Sequence, residues 1–478
     1  MIELSENISS YIENAFGTEF LEKYKAYIES DYVQYVRIPG SIDEQKLIVG
    51  KLRKYDIELE KVYNVPNAYS LIKGSDKIGK TLEHALGKYY IQSLSSMIPA
   101  FVLNPSQDNT TIDMCAAPGS KATQLSEMMQ NSGTLYVNEP SIGRTKALAH
   151  NLDKLNVVNA GMLTNKGELI SKYFNNYFDK ILIDAPCTGL GIVQKKQEVS
   201  NWWSENHAVI LSETQFKLLV SGIKSAKVGA EILYSTCTLT FEENEFVVDK
   251  ILQKYPVELM DIELPLKSHP GYVKVGEREL NPELVKTRRI IPWEINSEGF
   301  FIAKFKKIGE TEPSKKMDVR QAELEFLNWN NKYIKEHVEN IAEWYGIDLE
   351  VLKKYRYLFK GNEMQFVKSE WHSDNLSIFA RAGLKLGKLD KHGNIVLHTL
   401  ASQALQKHIT KNVIELNSRE HLSTYLNGGT IKSMIDIEPR GRKVVRYNGD
   451  MIGGAIATKD GLKSQFPRAL RTAEILFG

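Results

Sequence analysis

Three cysteines in 478 residues are too few for a disulfide framework, and their scarcity points to a chain that works in a reducing compartment. No Cys-x-x-Cys or His-Glu-x-x-His spacing occurs, so a structural metal is not expected. A run of about 18 apolar residues is also missing, which excludes a membrane-spanning helix. The opening Met1-Ile2-Glu3-Leu4-Ser5-Glu6 is acidic and amphipathic, unlike the basic start and apolar run of a secretory signal. A cytoplasmic protein with no membrane partner is the expectation. Internal repeats, low-complexity tracts and a Gly-x-Gly-x-x-Gly phosphate loop are absent as well.

What is present is the composition of an ordinary globular chain, 42% hydrophobic and 25% charged. The length exceeds what one core supports and predicts about three domains. A net charge of +2 conceals an asymmetry: residues 381–478 hold 16 Lys and Arg against 8 Asp and Glu, while the preceding part is net acidic. A basic terminal module on a mildly acidic body suits a polyanion partner, although a solvated lysine-rich surface would look the same.

Along the chain, residues 1–100 mix helical spacing (Ile12 to Phe16, Phe20 to Tyr24) with the strand-like Tyr35 to Ile38, an α+β pattern. From Thr111 to Phe305 strands alternate with helices. The strands are Thr111 to Met114, Gly133 to Glu139, Val157 to Met162, and the two ending at Asp184 and near Cys237; a long helix is expected from Ser212 to Lys227. Alternation of this kind predicts an α/β, doubly wound Rossmann-like sheet over residues 101–308, with ligands at the carboxyl ends of its strands. Residues 309–380 read as a polar linker followed by a helical module, whose stripe of Leu324, Trp329, Tyr333, Ile341 and Tyr345 is expected to pack in a core. Residues 381–478, with short strands and Gly turns at 383–387, 443–447 and 451–457, read as a small β-rich domain.

The chemistry-bearing residues fall at strand ends. Cys115-Ala116-Ala117-Pro118-Gly119-Ser120-Lys121 joins a strand to a helix, and its small residues let backbone N–H groups approach a ligand at the positive end of that helix. Glu139 closes the next strand, where an acid typically accepts from a ribose diol. Together they indicate a nucleoside-bearing cofactor. Asp184-Ala185-Pro186-Cys187 and Thr236-Cys237-Thr238 each place a thiol just past a strand end, the first beside an acid. One buried cysteine is usually inert, but two such thiols and an acid supply what addition to C6 of a pyrimidine and substitution at C5 require. A redox pair is the competing use, without the usual Cys-x-x-Cys.

These motifs, with Tyr90-Ile91-Gln92, Glu242-Glu243-Asn244-Glu245 and Gly299 to Ala303, resemble the Sun/Fmu family of RNA cytosine-C5 methyltransferases. Leu384 to Gly387 and Phe466-Pro467-Arg468 are most similar to its RsmF branch, bacterial 16S ribosomal-RNA methyltransferases with a PUA-like tail. The resemblance implies Cys237 as nucleophile, Cys187 as the thiol that helps release product, and Asp184 as the group that holds the cytosine edge beside the cofactor. It implies S-adenosylmethionine as cofactor, held by residues 115–121 and Glu139, and Lys195 as a basic residue near the substrate. It further implies an N-terminal RNA-binding domain and a PUA-like RNA-binding domain at 381–478. The position expected to read adenine is Lys166, where the family has an acid; lysine cannot accept that hydrogen bond, and Asn165 or backbone groups are the alternatives. Arg37-Ile38-Pro39 and Pro292-Trp293 also depart from the family pattern. The expected function is methylation of cytosine C5 in structured RNA, with 16S ribosomal RNA or the small-subunit particle first. Transfer RNA, or an RNA-binding assembly factor with impaired catalysis, are the alternatives.

Overall fold

A computed structural model describes residues 4–318, 324–373, 375–471, 475 and 476. Five apolar runs form the parallel centre of its largest sheet, in the spatial order Ala160–Leu163, Thr134–Asn138, Thr110–Asp113, Phe178–Asp184 and Ala226–Thr236. Their near-continuous hydrophobicity follows from burial on both faces. In the Asp184 strand, Ile181 and Ile183 join one core layer with Leu218, Leu219 and Ile223 of the helix Glu205–Ser225, while Leu182 joins the other with Leu125, Leu148 and Met97. That helix starts well before the expected Ser212 because the Ser204 hydroxyl caps it by accepting from the His207 N–H, and Lys227 belongs to the next strand. Phe300–Lys307 and Arg288–Ile290 add antiparallel to the Ala226–Thr236 edge. The α/β, doubly wound expectation for this part holds.

Residues 5–91 carry four helices, of which Glu6–Phe16 and Thr18–Glu29 form a pair and Ile42–Arg53 and Leu82–Ala85 follow, and a four-stranded antiparallel sheet. The helix pair packs Ile8, Ile12, Tyr24 and Ile28 onto Leu190, Val193, Trp203 and Leu239, which follow the two thiol-bearing strand ends. Tyr24 donates to the Leu190 carbonyl at 2.5 Å, and Gln194 Nε2 to the Tyr27 carbonyl at 2.8 Å. The N-terminal part thus braces the loops that carry the chemistry.

The expected boundary at 380 is corrected. Tyr355–Lys360 and Glu363–Lys368 form a hairpin around Gly361-Asn362, with Gly361 at φ +62°, and that hairpin shares one sheet with Leu384–Leu389 and Ile395–Leu397. A single core runs from Ile334 through Tyr357, Phe366 and Leu386 to Val444, Ile452 and Phe466, so the strands on both sides of 380 share one body. The helical spacing covers only Lys335–Tyr345, where Val338, Ile341 and Tyr345 are buried; Tyr333 and Leu324 of the expected stripe are exposed. Positions 319–323 of the expected linker and module lie outside the described residues. A second five-stranded sheet, from Val413–Glu415 to Gly461–Ser464, completes the β-rich end. Among the described residues no helix is long and apolar enough to cross a membrane.

One buried ion pair fixes the antiparallel flank. Arg289 is 2% exposed and Glu245 fully buried, with Arg289 Nε 2.6 Å from Glu245 Oε1 and Nη1 donating to the Leu239 carbonyl at 2.8 Å. The guanidinium lies over the Phe241 ring, 4.9 Å from its centroid. Removing one partner of a desolvated pair strands the other charge. Glu245→Ala is therefore expected to cost about 3–5 kcal/mol in urea unfolding, whereas Lys23→Ala, which breaks an exposed helix pair with Glu19, should leave the urea midpoint unchanged.

Candidate active site

The strand order reverses between Thr110–Asp113 and Phe178–Asp184, which opens a crevice at their carboxyl ends. A cleft of about 270 Å³ lies there, lined by Asp113, Cys115, Lys121, Asp184, Lys195 and Cys237 among others. The strand Ala226–Thr236 runs parallel to the Asp184 strand with Ser235 opposite Asp184. Both oxygens of Asp184 are engaged, Oδ1 by the Ser235 hydroxyl at 2.8 Å and Oδ2 by Lys121 Nζ at 2.7 Å. Lys121 also donates to Ser96 Oγ at 2.9 Å. Burial alone would lower the Lys121 pKa, but the Asp184 carboxylate outweighs it and the net shift is upward, so this lysine stays charged.

Beyond these strands the two thiols meet: Cys187 Sγ and Cys237 Sγ are 3.2 Å apart. The Cys237 sulfur beside it, and then burial, push the Cys187 pKa well up, so Cys187 keeps its proton. Glu243, fully buried, ties the two loops together. It accepts from the Thr188 N–H at 2.9 Å, from the Thr188 hydroxyl, from Gln215 Nε2 at 2.9 Å and from the Thr240 hydroxyl at 2.8 Å. Gly191 threads between them, since a Cβ there would stand 2.4 Å from the Gly299 carbonyl and 2.8 Å from that of Cys237. Lys195 pairs with Glu298 at 2.7 Å, and the Ser93 hydroxyl donates to the other Glu298 oxygen at 2.6 Å.

On the other side, the 115–121 loop turns tightly into the helix Ser120–Met128. Gly119 has φ +112°, and a Cβ there would lie 3.2 Å from Leu148 Cδ1. Ala116, Ala117, Pro118 and Ser120 line the cleft with Cys115 and Lys121. Glu139 is buried at the end of its strand, accepting from the Ser141 N–H at 3.0 Å and pairing with Arg144 at 3.3 Å. Arg144 donates in turn to the Ala117 carbonyl at 2.6 Å, which links the acid to the small-residue loop. Glu139 and Lys166 are not among the residues lining the cleft, and Lys166 is exposed. The sequence reading missed Arg144, Asn138 and the bridging part of Glu243. Asn138, buried, donates from Nδ2 to the Met114 carbonyl at 3.1 Å and to that of Asn165 at 2.8 Å, and accepts from the Asn165 N–H at 3.0 Å. Among the described residues no cluster of His, Cys, Asp and Glu could hold a metal ion.

Residues 100–306 match the family model described as 16S rRNA methyltransferase RsmB/F. Over 400 residues the chain is 32% identical to the ribosomal RNA small subunit methyltransferase F of Shewanella piezotolerans, covering 82% of this chain and 81% of that one. The chain belongs to the RsmB/F methyltransferase family. It is also 34% identical over 290 residues to the tRNA (cytosine(49)-C(5))-methyltransferase of Pyrococcus abyssi, covering 60% of this chain and 92% of that one. A solved methyltransferase homolog from Pyrococcus horikoshii superposes with TM-score 0.56 at 29% identity, over 64% of this chain and 96% of that one.

The cleft fits the cofactor of such a methyltransferase on its own features: a loop of small residues that turns at Gly119 with φ +112°, the start of a nine-residue helix, and a buried acid one strand over. At its floor, burial and behind it the charge of Asp184 push Asp113 from the ordinary 3.8 to about 7. A carboxyl whose folded pKa is raised contributes stability below its unfolded pKa that is lost as pH rises through the folded value. Asp113→Asn keeps an acceptor for the Cys115 N–H, which lies 3.2 Å from Oδ1, and removes the ionisation. Its Tm relative to wild type should rise from pH about 4 to about 7 and level off above. A difference that is flat across this range in thermal melts would refute the assignment.

Proposed function

We propose that this chain methylates C5 of cytosine in ribosomal RNA with S-adenosylmethionine, through a covalent bond between Cys237 and C6 of the base. The observation that carries this reading is the approach of two thiols to 3.2 Å at the ends of adjacent strands, next to a doubly anchored carboxylate. Residues 115–121 and Glu139 would hold the cofactor, which when bound supplies an electrophilic methyl group. Cys237 shares the cleft with Lys121 and Lys195. Its lone pair forms the S–C6 bond, and the displaced π-electrons make C5 nucleophilic. Asp184, already oriented by Ser235 and Lys121, accepts from the cytosine amino edge and sets the ring over the thiol. Once C5 is substituted, its proton must leave so that the C5–C6 double bond re-forms and the S–C6 electrons return to Cys237. Cys187 is in reach of that sulfur; it can pass its proton to the departing Cys237 sulfur and, as the thiolate so formed, take up the C5 proton.

The base must leave its stack to expose C6, at a cost of a few kcal/mol that favours loops and helix ends. The basic residues of 381–478 would offset this through phosphate contacts. A PUA-like role for that region, an RNA-binding role for residues 1–100 and a cytoplasmic location belong to the same reading. Coverage favours ribosomal over transfer RNA: the Shewanella relative accounts for 82% of this chain, whereas the archaeal tRNA enzyme matches 60% of it. The two intact thiols speak against an assembly factor without catalysis.

Cys237→Ala should reduce methyl transfer to background while RNA binding persists. Cys187→Ala should accumulate a protein–RNA adduct that survives denaturing gels. Bisulfite sequencing of cellular RNA with and without the gene should show one or a few cytosines in the small-subunit RNA losing protection; loss confined to transfer RNA would move the substrate there.

A further inference from the structure

Two thiols in contact are also the makings of a reversible redox couple, and here they meet without a Cys-x-x-Cys. Cys187 and Cys237 are 50 residues apart in the chain, yet their sulfurs stand 3.2 Å from each other. Their loops leave neighbouring parallel strands. The spacing of such strands, about 4.8 Å, falls inside the Cα separation that a disulfide spans, about 4.4–6.8 Å. The loops stay together one residue further on, where the Thr188 and Thr238 hydroxyls meet at 3.1 Å. Glu243 holds Thr188 by its N–H and its hydroxyl, and the Leu190 N–H donates to Thr238 Oγ1 at 3.3 Å. Sulfurs held in this way need little further ordering to be joined.

The two thiols differ in access. Cys237 lines the cleft, whereas Cys187 is not among the lining residues. A small oxidant that enters the cleft therefore meets Cys237 first, with Cys187 in contact as the resolving thiol. Cys115, the remaining cysteine, lines the same cleft but packs against the opposite core layer from Cys237, which makes it an internal control.

We propose that Cys187 and Cys237 form a site of reversible oxidative modification, at which hydrogen peroxide converts the two thiols to a disulfide and so switches methyl transfer off. In the first step the Cys237 sulfur attacks a peroxide oxygen. The S–O bond forms, the O–O bond breaks, and Cys237 becomes a sulfenic acid with release of one water. In the second step the Cys187 sulfur attacks that sulfur. The S–S bond forms, the S–O bond breaks, and the hydroxyl leaves with the Cys187 proton as a second water. The thiols together lose two electrons and two protons, and the peroxide is reduced to water. A dithiol reductant returns both and restores the pair. Without Cys187 the sulfenic acid has no thiol in contact and goes on to the sulfinic acid, which thiols do not reduce. Formation of the bond is independent of the methyltransferase reading; the loss of methyl transfer rests on it, because the bond occupies the Cys237 sulfur.

The test treats the full chain with a small excess of hydrogen peroxide. Thiols are then alkylated in the unfolded protein and mapped by mass spectrometry, and methyl transfer is measured before and after dithiothreitol. Wild type should become lighter by two hydrogen atoms, with Cys187 and Cys237 in one linked peptide and Cys115 alkylated. Its methyl transfer should fall with the linked fraction and return on reduction. C187A, with a thermal melt as fold control, should instead gain two oxygen atoms on Cys237 that dithiothreitol does not remove. Sulfinic Cys237 in wild type beside an alkylated Cys187, a linkage to Cys115, or alkylation of every thiol after treatment overturns the proposal. A Cys187–Cys237 bond that leaves methyl transfer unchanged overturns the switch and the nucleophile assignment together. A chain that forms the bond reversibly but never methylates RNA overturns the methyltransferase reading, and the modification site stands.

Discussion

Parallel strands lie about 4.8 Å apart, so two chain segments leaving neighbouring strand ends at the same level are held within side-chain contact. The pairing of Phe178–Asp184 with Ala226–Thr236, in a register that sets Asp184 opposite Ser235, is the constraint on which this site depends. From that level, three residues on one strand and two on the other bring Cys187 and Cys237 to 3.2 Å. A slip of one residue would turn Ser235 to the other face of the sheet and deprive Asp184 of its hydroxyl partner. The buried apolar alternation of Ile181, Leu182 and Ile183 between two core layers makes that slip costly. Core packing thus sets the relative position of the two thiols before any polar contact does.

The polar contacts then stop the loops from drifting. Glu243 lies in a place where its charge is disfavoured, as the upward push of burial on its pKa shows. Four donors from Thr188, Gln215 and Thr240 offset that cost, and they come from the Cys187 loop, the long helix and the Cys237 loop. A fully satisfied buried carboxylate shared by three elements rigidifies them in a way an apolar contact, which tolerates sliding, would not. The N-terminal helix pair adds a second layer behind the same loops through Tyr24 and Tyr27. Both supports act on position, while Lys121 and Lys195 supply the charge.

Much of the catalytic part was legible because its signals are local. Short apolar runs alternating with helical spacers gave the doubly wound sheet, and residue types at strand ends gave Cys115 to Lys121, Glu139, Asp184, Cys187 and Cys237. Partners supplied by distant segments were not legible. Arg144 reaches Glu139 from the next helix, and Asn138 clamps loops 24 and 27 residues away in the chain. The division at 380 failed for a related reason. The alternation of Tyr355, Tyr357 and Phe359 around Gly361-Asn362 is a hairpin signal, but the aromatic stripe before it drew the segment toward a helix. Only the shared core shows that hairpin and tail to be one body.

How that body is mounted decides what it can do for the site. A tail on a loose tether would raise local RNA concentration without orienting the target base. Here Arg381-Ala382 pair antiparallel with Met162 and Gly161, so the tail is stitched to the Ala160–Leu163 edge of the large sheet. Gly161 admits Phe379 so closely that a Cβ would lie 2.5 Å from its ring. Arg381 pairs with Asp153 on the helix behind, and Asp450 pairs with Lys51 and, at 3.1 Å, with Lys88 of the N-terminal part. Held at the sheet edge and at the N-terminal part together, the C-terminal body has a fixed position relative to Cys237. A frame of that kind fixes where any contact made by the C-terminal body falls relative to the two thiols.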